Sequence, residues 1–111
     1  MWIMIAGPYT SGGASPEERA RRLRTMNEHA HHVFLKGHVP VIGVNLALPI
    51  VQAAEGDSFD ALMMPISLAL AERCDAVLRI GGESAGADDE VAVIAGRGGT
   101  VYRFVDDIPT S

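Results

Sequence analysis

Two carboxylates, Asp75 and Glu90, stand on either side of a glycine-rich loop and could do chemistry together. Glu90 follows the loop Gly81–Gly86 near the start of an expected helix, and Asp75 comes just before an expected strand. A carboxylate can act as a nucleophile, and a second carboxyl group nearby can transfer a proton. Backbone N–H groups from Ser84 to Asp88 would point outward at the helix N-terminus, where a phosphate is favoured. These residue types predict a site for a small ligand.

Each of these residues also has a structural interpretation that the sequence leaves open. Asp88, Asp89 and Glu90 could be first-turn acids that complement the helix dipole. Ser84 could be an ordinary capping residue, and Asp75 could end a helix or brace a loop. The chemistry therefore depends on whether the fold brings the carboxylates together.

Composition narrows the class of ligand. The chain has 111 residues, 48% hydrophobic and 21% charged, which is typical of a globular domain. A net charge of −5 argues against a nucleic acid polymer as partner, since phosphate neutralisation needs a basic patch.

A lone Cys74 excludes an intrachain disulfide, and we expect a buried, inert thiol. The four histidines lack the partners of a metal ligand set, so we expect solvated or interface histidines and no metal or cofactor: His29, His31, His32 and His38.

The hydropathy pattern predicts alternating strands and helices. Apolar runs bounded by glycine and proline indicate four strands, over Trp2–Ala6, Val39–Gly43, Ala76–Ile80 and Thr100–Phe104. A helix should begin at Pro16 with Ser15 as its cap, carry Leu23, Met26, Ala30, Val33 and Phe34 on its buried side, and end after Lys36. A second should be capped by Asp57 or Ser58, with Phe59, Leu62, Ile66 and Leu70 on its apolar side, and a third should cover Ala87–Arg97. We expect a short helix or irregular wall over Asn45–Ala54 and a partly ordered tail over Val105–Ser111.

The order βαβαβαβ predicts one α/β domain over residues 1–111, with a parallel sheet of four or five strands between helices on both faces. A strand order of 2-1-3-4 would place the first and third strands side by side. Ligands in such sheets bind beyond the carboxyl ends of the strands at this switch point. The loops Gly7–Ser15 and Gly81–Gly86 both follow strands there.

Membrane association is not expected. The N-terminus lacks the basic segment of a secretion signal, and polar residues and a proline interrupt the longest apolar stretch, Val39–Ala54. A cytoplasmic protein is the simplest interpretation.

Three motifs, taken with their order and spacing, resemble the nucleoside 2-deoxyribosyltransferase-like family. Ile5-Ala6-Gly7-Pro8-Tyr9 is similar to its first strand and turn, and Cys74-Asp75-Ala76-Val77-Leu78 to the head of its third strand. Ser84-Ala85-Gly86-Ala87-Asp88-Asp89-Glu90 is similar to its S-x-G-x-x-x-E motif. The closest likeness is to the short, mostly uncharacterised members. The resemblance implies a Rossmann/flavodoxin-like fold and a homodimer or higher homo-oligomer.

The resemblance also implies a reaction, the cleavage or transfer at the N-glycosidic bond of a nucleoside or nucleoside 5′-monophosphate. Glu90 matches the nucleophile that attacks C1′ of the sugar, and Asp75 the aspartate that assists. Ser84 and Gly86 match the loop that holds the 5′ end of the ligand, and Ser84 favours a monophosphate. The first loop supplies the remaining substrate-binding residues, among which Tyr9 either stacks on the base or is an ordinary turn aromatic: Gly7, Pro8, Tyr9 and Thr10.

Two departures from the family pattern keep an alternative open. Many members have a tyrosine that holds the glutamate, and Met4 occupies that position here. A basic first-loop residue of some nucleotide-handling members is also missing, with Thr10 or Ser11 in its place. The alternative is a non-catalytic nucleotide-binding module that kept the pocket but lost turnover. A more distant one is a phosphoribohydrolase of the lysine-decarboxylase-like type, on the loose match of Gly81-Gly82 with Glu90.

Overall fold

Four short strands pair side by side in a parallel sheet with the order β2-β1-β3-β4. The computed structural model describes residues 1–54 and 59–111. The strands are β1 (Trp2–Ala6), β2 (Val39–Val41), β3 (Ala76–Arg79) and β4 (Thr100–Tyr102). The sheet confirms the predicted α/β class and the 2-1-3-4 order, with β1 and β3 adjacent.

Four helices accompany the strands, and a short 3₁₀ helix, Val105–Asp107, follows β4. They are α1 (Pro16–Leu35), α2 (Gly43–Ala53), α3 (Phe59–Ala71) and α4 (Ala85–Gly96). The predicted start of α1 is confirmed, because the Ser15 hydroxyl accepts a hydrogen bond from the Glu18 amide at 3.2 Å and Pro16 opens the helix. The expected caps of the second helix, Asp57 and Ser58, lie outside the described residues. None of the described helices has the length and apolar composition that crossing a membrane requires.

Helices on both faces of the sheet explain why β1 is apolar without alternation. Ile3 and Ile5 pack with α1 in one core cluster, whereas Met4 and Ala6 pack with α3 and α4 in another. All four side chains are buried. Further along the chain, α2 packs on α3 and α3 packs on α4.

Several element boundaries differ from the predicted ones. β2 ends at Val41 because Gly43 already begins α2, which confirms the helix of the two alternatives expected over Asn45–Ala54 and runs through Pro49. α3 likewise continues through Pro65, and its buried stripe is Met63, Ser67 and Ala71 at a spacing of four. The residues expected on its apolar side are only half-buried: Phe59, Leu62, Ile66 and Leu70. In α1, Phe34 is 64% exposed although its spacing predicted burial.

The C-terminal tail is anchored, so the prediction of a partly ordered tail was wrong. Ile108 is 1% exposed and packs in the core, and its carbonyl accepts a hydrogen bond from Lys36 Nζ at 2.7 Å. The Ser111 amide donates to the Lys36 carbonyl at 2.7 Å. His38, expected to be solvated or at an interface, is buried between the N-terminal amine at 2.9 Å and the Pro109 carbonyl at 2.6 Å.

Truncating Ile108 tests whether the tail is part of the fold. Ile108→Ala should lower the free energy of unfolding by about 2–4 kcal/mol, because it removes a fully buried side chain and leaves a cavity. Leu35→Ala, at a position that is 64% exposed, should change it by less than about 1 kcal/mol. Urea unfolding measures both. A tail that contributes nothing would make the two variants equal.

Candidate active site

A pocket of about 260 Å³ opens beyond the carboxyl ends of β1 and β2, at the edge where ligands bind in parallel α/β sheets. Its walls come from the first loop and from the beginnings of α2, α3 and α4. It brings together Glu90 and five of the predicted binding residues, which are Gly7, Tyr9, Thr10, Ser84 and Gly86. Residues of both glycine-rich loops therefore meet the Glu90 carboxyl group at this edge of the sheet, as the topology predicted.

Glu90 lines this pocket yet is 7% exposed, so its carboxyl group is largely shielded from water. Burial raises the pKa of Glu90 from 4.5 to about 8, and the Asp89 carboxylate adds to the rise, whereas Arg79 opposes it. A solvated first-turn acid would keep an ordinary pKa. The purely structural interpretation of Glu90 as a surface charge at the helix dipole therefore does not fit its surroundings.

The space beside Glu90 exists because residue 43 has no side chain. A Cβ built on Gly43 would overlap Ser67 Oγ and would lie 3.3 Å from Glu90 Oε2. Ser67 is 0% exposed and its hydroxyl makes a long contact of 3.8 Å to Met63 Sδ. Sequence reasoning missed Ser67, although a lone serine among the apolar residues of α3 was a signal.

Met4, which the motif resemblance aligns with a tyrosine, offers no hydroxyl to Glu90. Its side chain is fully buried and packs with Ala87 and Ile94, which lie on the same helix as Glu90. The Ser67 hydroxyl and the Glu90 carboxyl group both lie near Gly43. The described residues place no hydrogen-bond donor on Glu90 Oε1 or Oε2 within bonding distance, which leaves burial to dominate its pKa.

The N-terminus of α4 forms the polar side of the pocket. Ser84 is the N-cap residue, and its hydroxyl accepts a hydrogen bond from the Ala87 amide at 3.1 Å. The Ala85 and Gly86 amides precede the first intrahelical hydrogen bond and are free to bind a ligand oxygen. A Cβ on Gly86 would lie 3.2 Å from Met64 Sδ, so glycine keeps this approach open. The capping interpretation of Ser84 is thus confirmed, and its hydroxyl hydrogen can still donate to a ligand.

An aromatic pair forms another wall. The Tyr9 and Phe59 rings have centroids 5.7 Å apart and an interplanar angle of 36°. Arg22 fixes the first loop by donating to the Tyr9 carbonyl at 3.2 Å and to the Ser11 carbonyl at 2.9 Å. Tyr9 is therefore packed and held in place, and it faces the pocket with Phe59.

Asp75 lies away from the pocket, which corrects its predicted place in the site. Asp75 precedes β3, at the amino ends of the strands, and its Oδ2 accepts a hydrogen bond from the Trp2 amide at 2.8 Å. Its role is to brace the start of β1, one of the structural interpretations that the sequence left open. Among the residues that the structure describes, Asp60 in the first turn of α3 is a second carboxyl group on the pocket wall, and sequence reasoning did not identify it.

One other predicted binding residue lies outside this pocket, since Pro8 lines a neighbouring groove. Cys74 is buried, as predicted, and burial together with the Asp75 charge raises the pKa of its thiol to about 11, which disfavours the thiolate. Within residues 1–54 and 59–111, no three His, Cys, Asp or Glu side chains are grouped as a metal ion would need.

No protein-family model matches this sequence, and comparisons with curated proteins and with solved structures find no similar protein. The likeness to the nucleoside 2-deoxyribosyltransferase-like family therefore rests on the three motifs. The candidate site rests on the geometry of the pocket.

The raised pKa of Glu90 predicts a pH-dependent stability difference between the wild type and Glu90→Gln. The folded protein keeps a proton that the unfolded chain loses between pH 4.5 and about 8, so this carboxyl group lowers the free energy of unfolding as pH rises through that window. Glutamine is neutral throughout. The difference in free energy of unfolding between Glu90→Gln and the wild type should therefore shift in favour of the variant by roughly 3–5 kcal/mol between pH 4.5 and 9. Chemical unfolding at several pH values measures this, and parallel curves for the two proteins would refute it.

Filling the space at residue 43 should disturb the site. Gly43→Ala should destabilise the fold by about 1–3 kcal/mol, because the added methyl group overlaps Ser67. Gly96→Ala is the matched control, since a Cβ there meets nothing within 4 Å and alanine favours a helix. Thermal unfolding should show a lower midpoint for the first variant and an equal or higher one for the second. Equal midpoints for Gly43→Ala and the wild type would contradict the packing around Glu90.

Proposed function

We propose that this protein cleaves or transfers at the N-glycosidic bond of a nucleoside or nucleoside 5′-monophosphate, with Glu90 as the nucleophile. The observation that carries the proposal is the buried Glu90 carboxyl group in a small pocket, between the open N-terminus of α4 and an aromatic wall. These are the three surroundings that a sugar with an anionic end and a planar base requires. The motif resemblance to the nucleoside 2-deoxyribosyltransferase-like family points to the same reaction.

The pocket suggests an orientation for the substrate. The 5′ end would lie at the amides of Ala85 and Gly86 with the Ser84 hydroxyl, where the helix dipole favours negative charge. The base would contact the Tyr9 and Phe59 rings. The sugar would then lie between them, with C1′ within reach of Glu90.

In the reaction, a bond forms between a Glu90 oxygen and C1′ as the bond from C1′ to the base nitrogen breaks. The bonding electrons leave with the base, which takes up one proton. Asp60 is the carboxyl group on the pocket wall that could transfer this proton. Water, or a second base, then attacks C1′, gives up a proton to the ionised Asp60, and breaks the bond from C1′ to the Glu90 oxygen. The charge on the sugar in both steps resembles an oxocarbenium ion, which a carboxylate stabilises.

The protonation state of Glu90 limits this reaction. With a pKa of about 8, roughly one molecule in ten carries the ionised carboxylate at pH 7. A nucleophile must be ionised, so the free protein should react slowly at neutral pH and faster as Glu90 loses its proton. An acid that protonates the leaving base would have the opposite pH dependence.

The alternative is a nucleotide-binding module without turnover. Met4 in place of the tyrosine, and a Glu90 that is mainly protonated at neutral pH, favour it. Such a module would be stabilised thermally by nucleotides without releasing the base.

Assembly into a homo-oligomer is also part of the proposal. The pocket is bounded on one side by the beginning of α2, whose Leu46 and Ile50 are 47% and 44% exposed at a spacing of four. These two residues lie on one side of the helix and could contact a second copy.

Release of free base tests the reaction. Wild-type protein incubated with ribo- and deoxyribonucleosides and their 5′-monophosphates should release base, detected by chromatography. Glu90→Gln should lose at least about a hundredfold in rate, because the nucleophile is removed without a change of shape. Asp60→Asn should lower kcat more than it raises KM. Glu72→Gln, an exposed acid on the turn after α3, is the control and should react like the wild type.

The pH profile of the same assay assigns the role of Glu90. As a nucleophile it predicts a rate that rises about tenfold per pH unit below 8 and levels off above it. A rate that falls above pH 8 would identify Glu90 as a proton donor. If no substrate releases free base while a nucleotide raises the thermal unfolding midpoint, the proposed enzymatic activity is wrong and the protein is a nucleotide-binding module.

A further inference from the structure

A second concavity, here called the arginine groove, lies on the other side of the first loop from the Glu90 pocket. It has a volume of about 780 Å³ and is bounded by one side of α1, by the loop after β3, and by Arg103 and Phe104 after β4. Met26 separates it from the Glu90 pocket, since this side chain lines both. The reaction proposed above makes no use of the groove.

Positive charge is concentrated in this groove. Four of the nine Lys and Arg residues of the chain line it, namely Arg21, Arg22, Arg79 and Arg103, against two carboxylates, Glu83 and Asp88. The protein as a whole carries a net charge of −5. The groove is therefore a local basic region on an acidic molecule, and such a region attracts anions.

Two of the four arginines are already used to build the walls. Arg79 is buried, pairs with Asp88 at 3.2 Å, and donates to the carbonyls of Ile80 and Gly82. Arg22 holds the first loop through two carbonyls and lies 3.8 Å from Glu18. These contacts hold the two loops that flank the groove and leave these guanidinium groups little capacity for a ligand.

The other two arginines are free to bind. Within residues 1–54 and 59–111, Arg21 and Arg103 form no ion pair or hydrogen bond through their guanidinium groups, and both are exposed. His29 lies two turns after Arg21 on the same side of α1. Its Nδ1 is 2.8 Å from the Thr25 carbonyl and must carry the proton there, because a carbonyl only accepts. Its Nε2 therefore remains available.

The groove also offers apolar surface to a planar group. Phe104 is 69% exposed at its edge, next to Arg103 in sequence. Met26, Ile80 and Pro8 contribute apolar lining. An exposed aromatic ring beside a free guanidinium group can stack on a planar ring while the guanidinium binds an anion.

We propose that the arginine groove is a binding site for a phosphorylated ligand that carries a planar ring, with Arg21 and Arg103 holding the phosphate and Phe104 contacting the ring. Nucleoside di- and triphosphates are ligands of this chemical class. A volume of about 780 Å³ accommodates one, since ligand pockets span roughly 300–1,000 Å³. The site does not depend on the reaction at Glu90.

Calorimetric titration at low ionic strength tests the proposal with three probes, which are adenosine triphosphate, inorganic pyrophosphate and adenosine. Adenosine triphosphate should bind most tightly and adenosine most weakly. Arg21→Ala and Arg103→Ala should each weaken adenosine triphosphate binding by about tenfold or more, since each removes a charge-assisted contact. Arg24→Ala removes an exposed arginine of the same helix that does not line the groove, and it should leave binding unchanged.

A further variant tests the contact with the planar ring. Phe104→Ala should weaken the binding of adenosine triphosphate but leave the binding of pyrophosphate unaffected. Base release reports the glycosidic reaction and calorimetry reports this site, so failure of the reaction and failure of the site give different results. Absence of binding at millimolar concentrations, or binding that both arginine variants retain, would overturn the proposal. Equal binding of pyrophosphate and adenosine triphosphate would overturn the role of Phe104 and the planar ring.

Discussion

Burial of the Glu90 carboxyl group is the constraint to which the rest of the site conforms. It is possible because α2 begins with a glycine, since any side chain at residue 43 would occupy the space between Ser67 and Glu90. Enclosure by α2, α3 and α4 removes water and raises the pKa of Glu90 to about 8. A proton on this carboxyl group lets the fold bury it without a counter-ion. The same burial would strengthen its interaction with a positively charged sugar once it ionises.

The two glycine-rich loops are held in place by arginine side chains rather than by the strands they follow. Arg22 binds two carbonyls of the first loop, and Arg79 binds the carbonyls of Ile80 and Gly82 in the second. Each arginine is itself balanced by a carboxylate, Glu18 or Asp88. Held in this way, the loops divide the carboxyl edge of the sheet into the Glu90 pocket on one side and the arginine groove on the other. Loss of either arginine would affect both concavities.

Local chain chemistry was sufficient to predict the elements that position the site. The apolar runs of β1 and β3 and the Ser15-Pro16 start of α1 determine their own conformations, and the alternation of strands and helices leads to the 2-1-3-4 order. The boundary between β2 and α2 was misplaced because Val39–Gly43 is apolar throughout and gives no local sign that the helix begins at Gly43. The tail was misjudged because a fully buried residue, Ile108, and hydrogen bonds to Lys36 and His38 anchor a segment with few apolar residues.

Site residues that follow a glycine-rich loop in the sequence could be predicted. Those that reach the pocket only because helices pack together could not. Glu90 and Ser84 were found because they belong to a motif, S-x-G-x-x-x-E, that leads from the second glycine-rich loop into α4. Asp75 was misplaced even though the topology contained the answer, because a residue that precedes a strand of a parallel sheet lies at the amino edge. Asp60 reaches the pocket, and Ser67 packs against Gly43, only through the packing of α3 on α2 and α4. The arginine groove is formed by residues that lie far apart in the sequence, so no local sequence pattern predicts it.

The state of the Glu90 carboxyl group can be observed directly by nuclear magnetic resonance. The chemical shift of the side-chain carboxyl carbon, assigned by its loss in Glu90→Gln, would be followed as a function of pH in the folded protein. A titration midpoint near 8 is the predicted result and would establish Glu90 as a buried, protonated group at neutral pH. A midpoint near 4.5 would show a solvated carboxylate, and it would contradict both the packing around Gly43 and the burial of this carboxyl group.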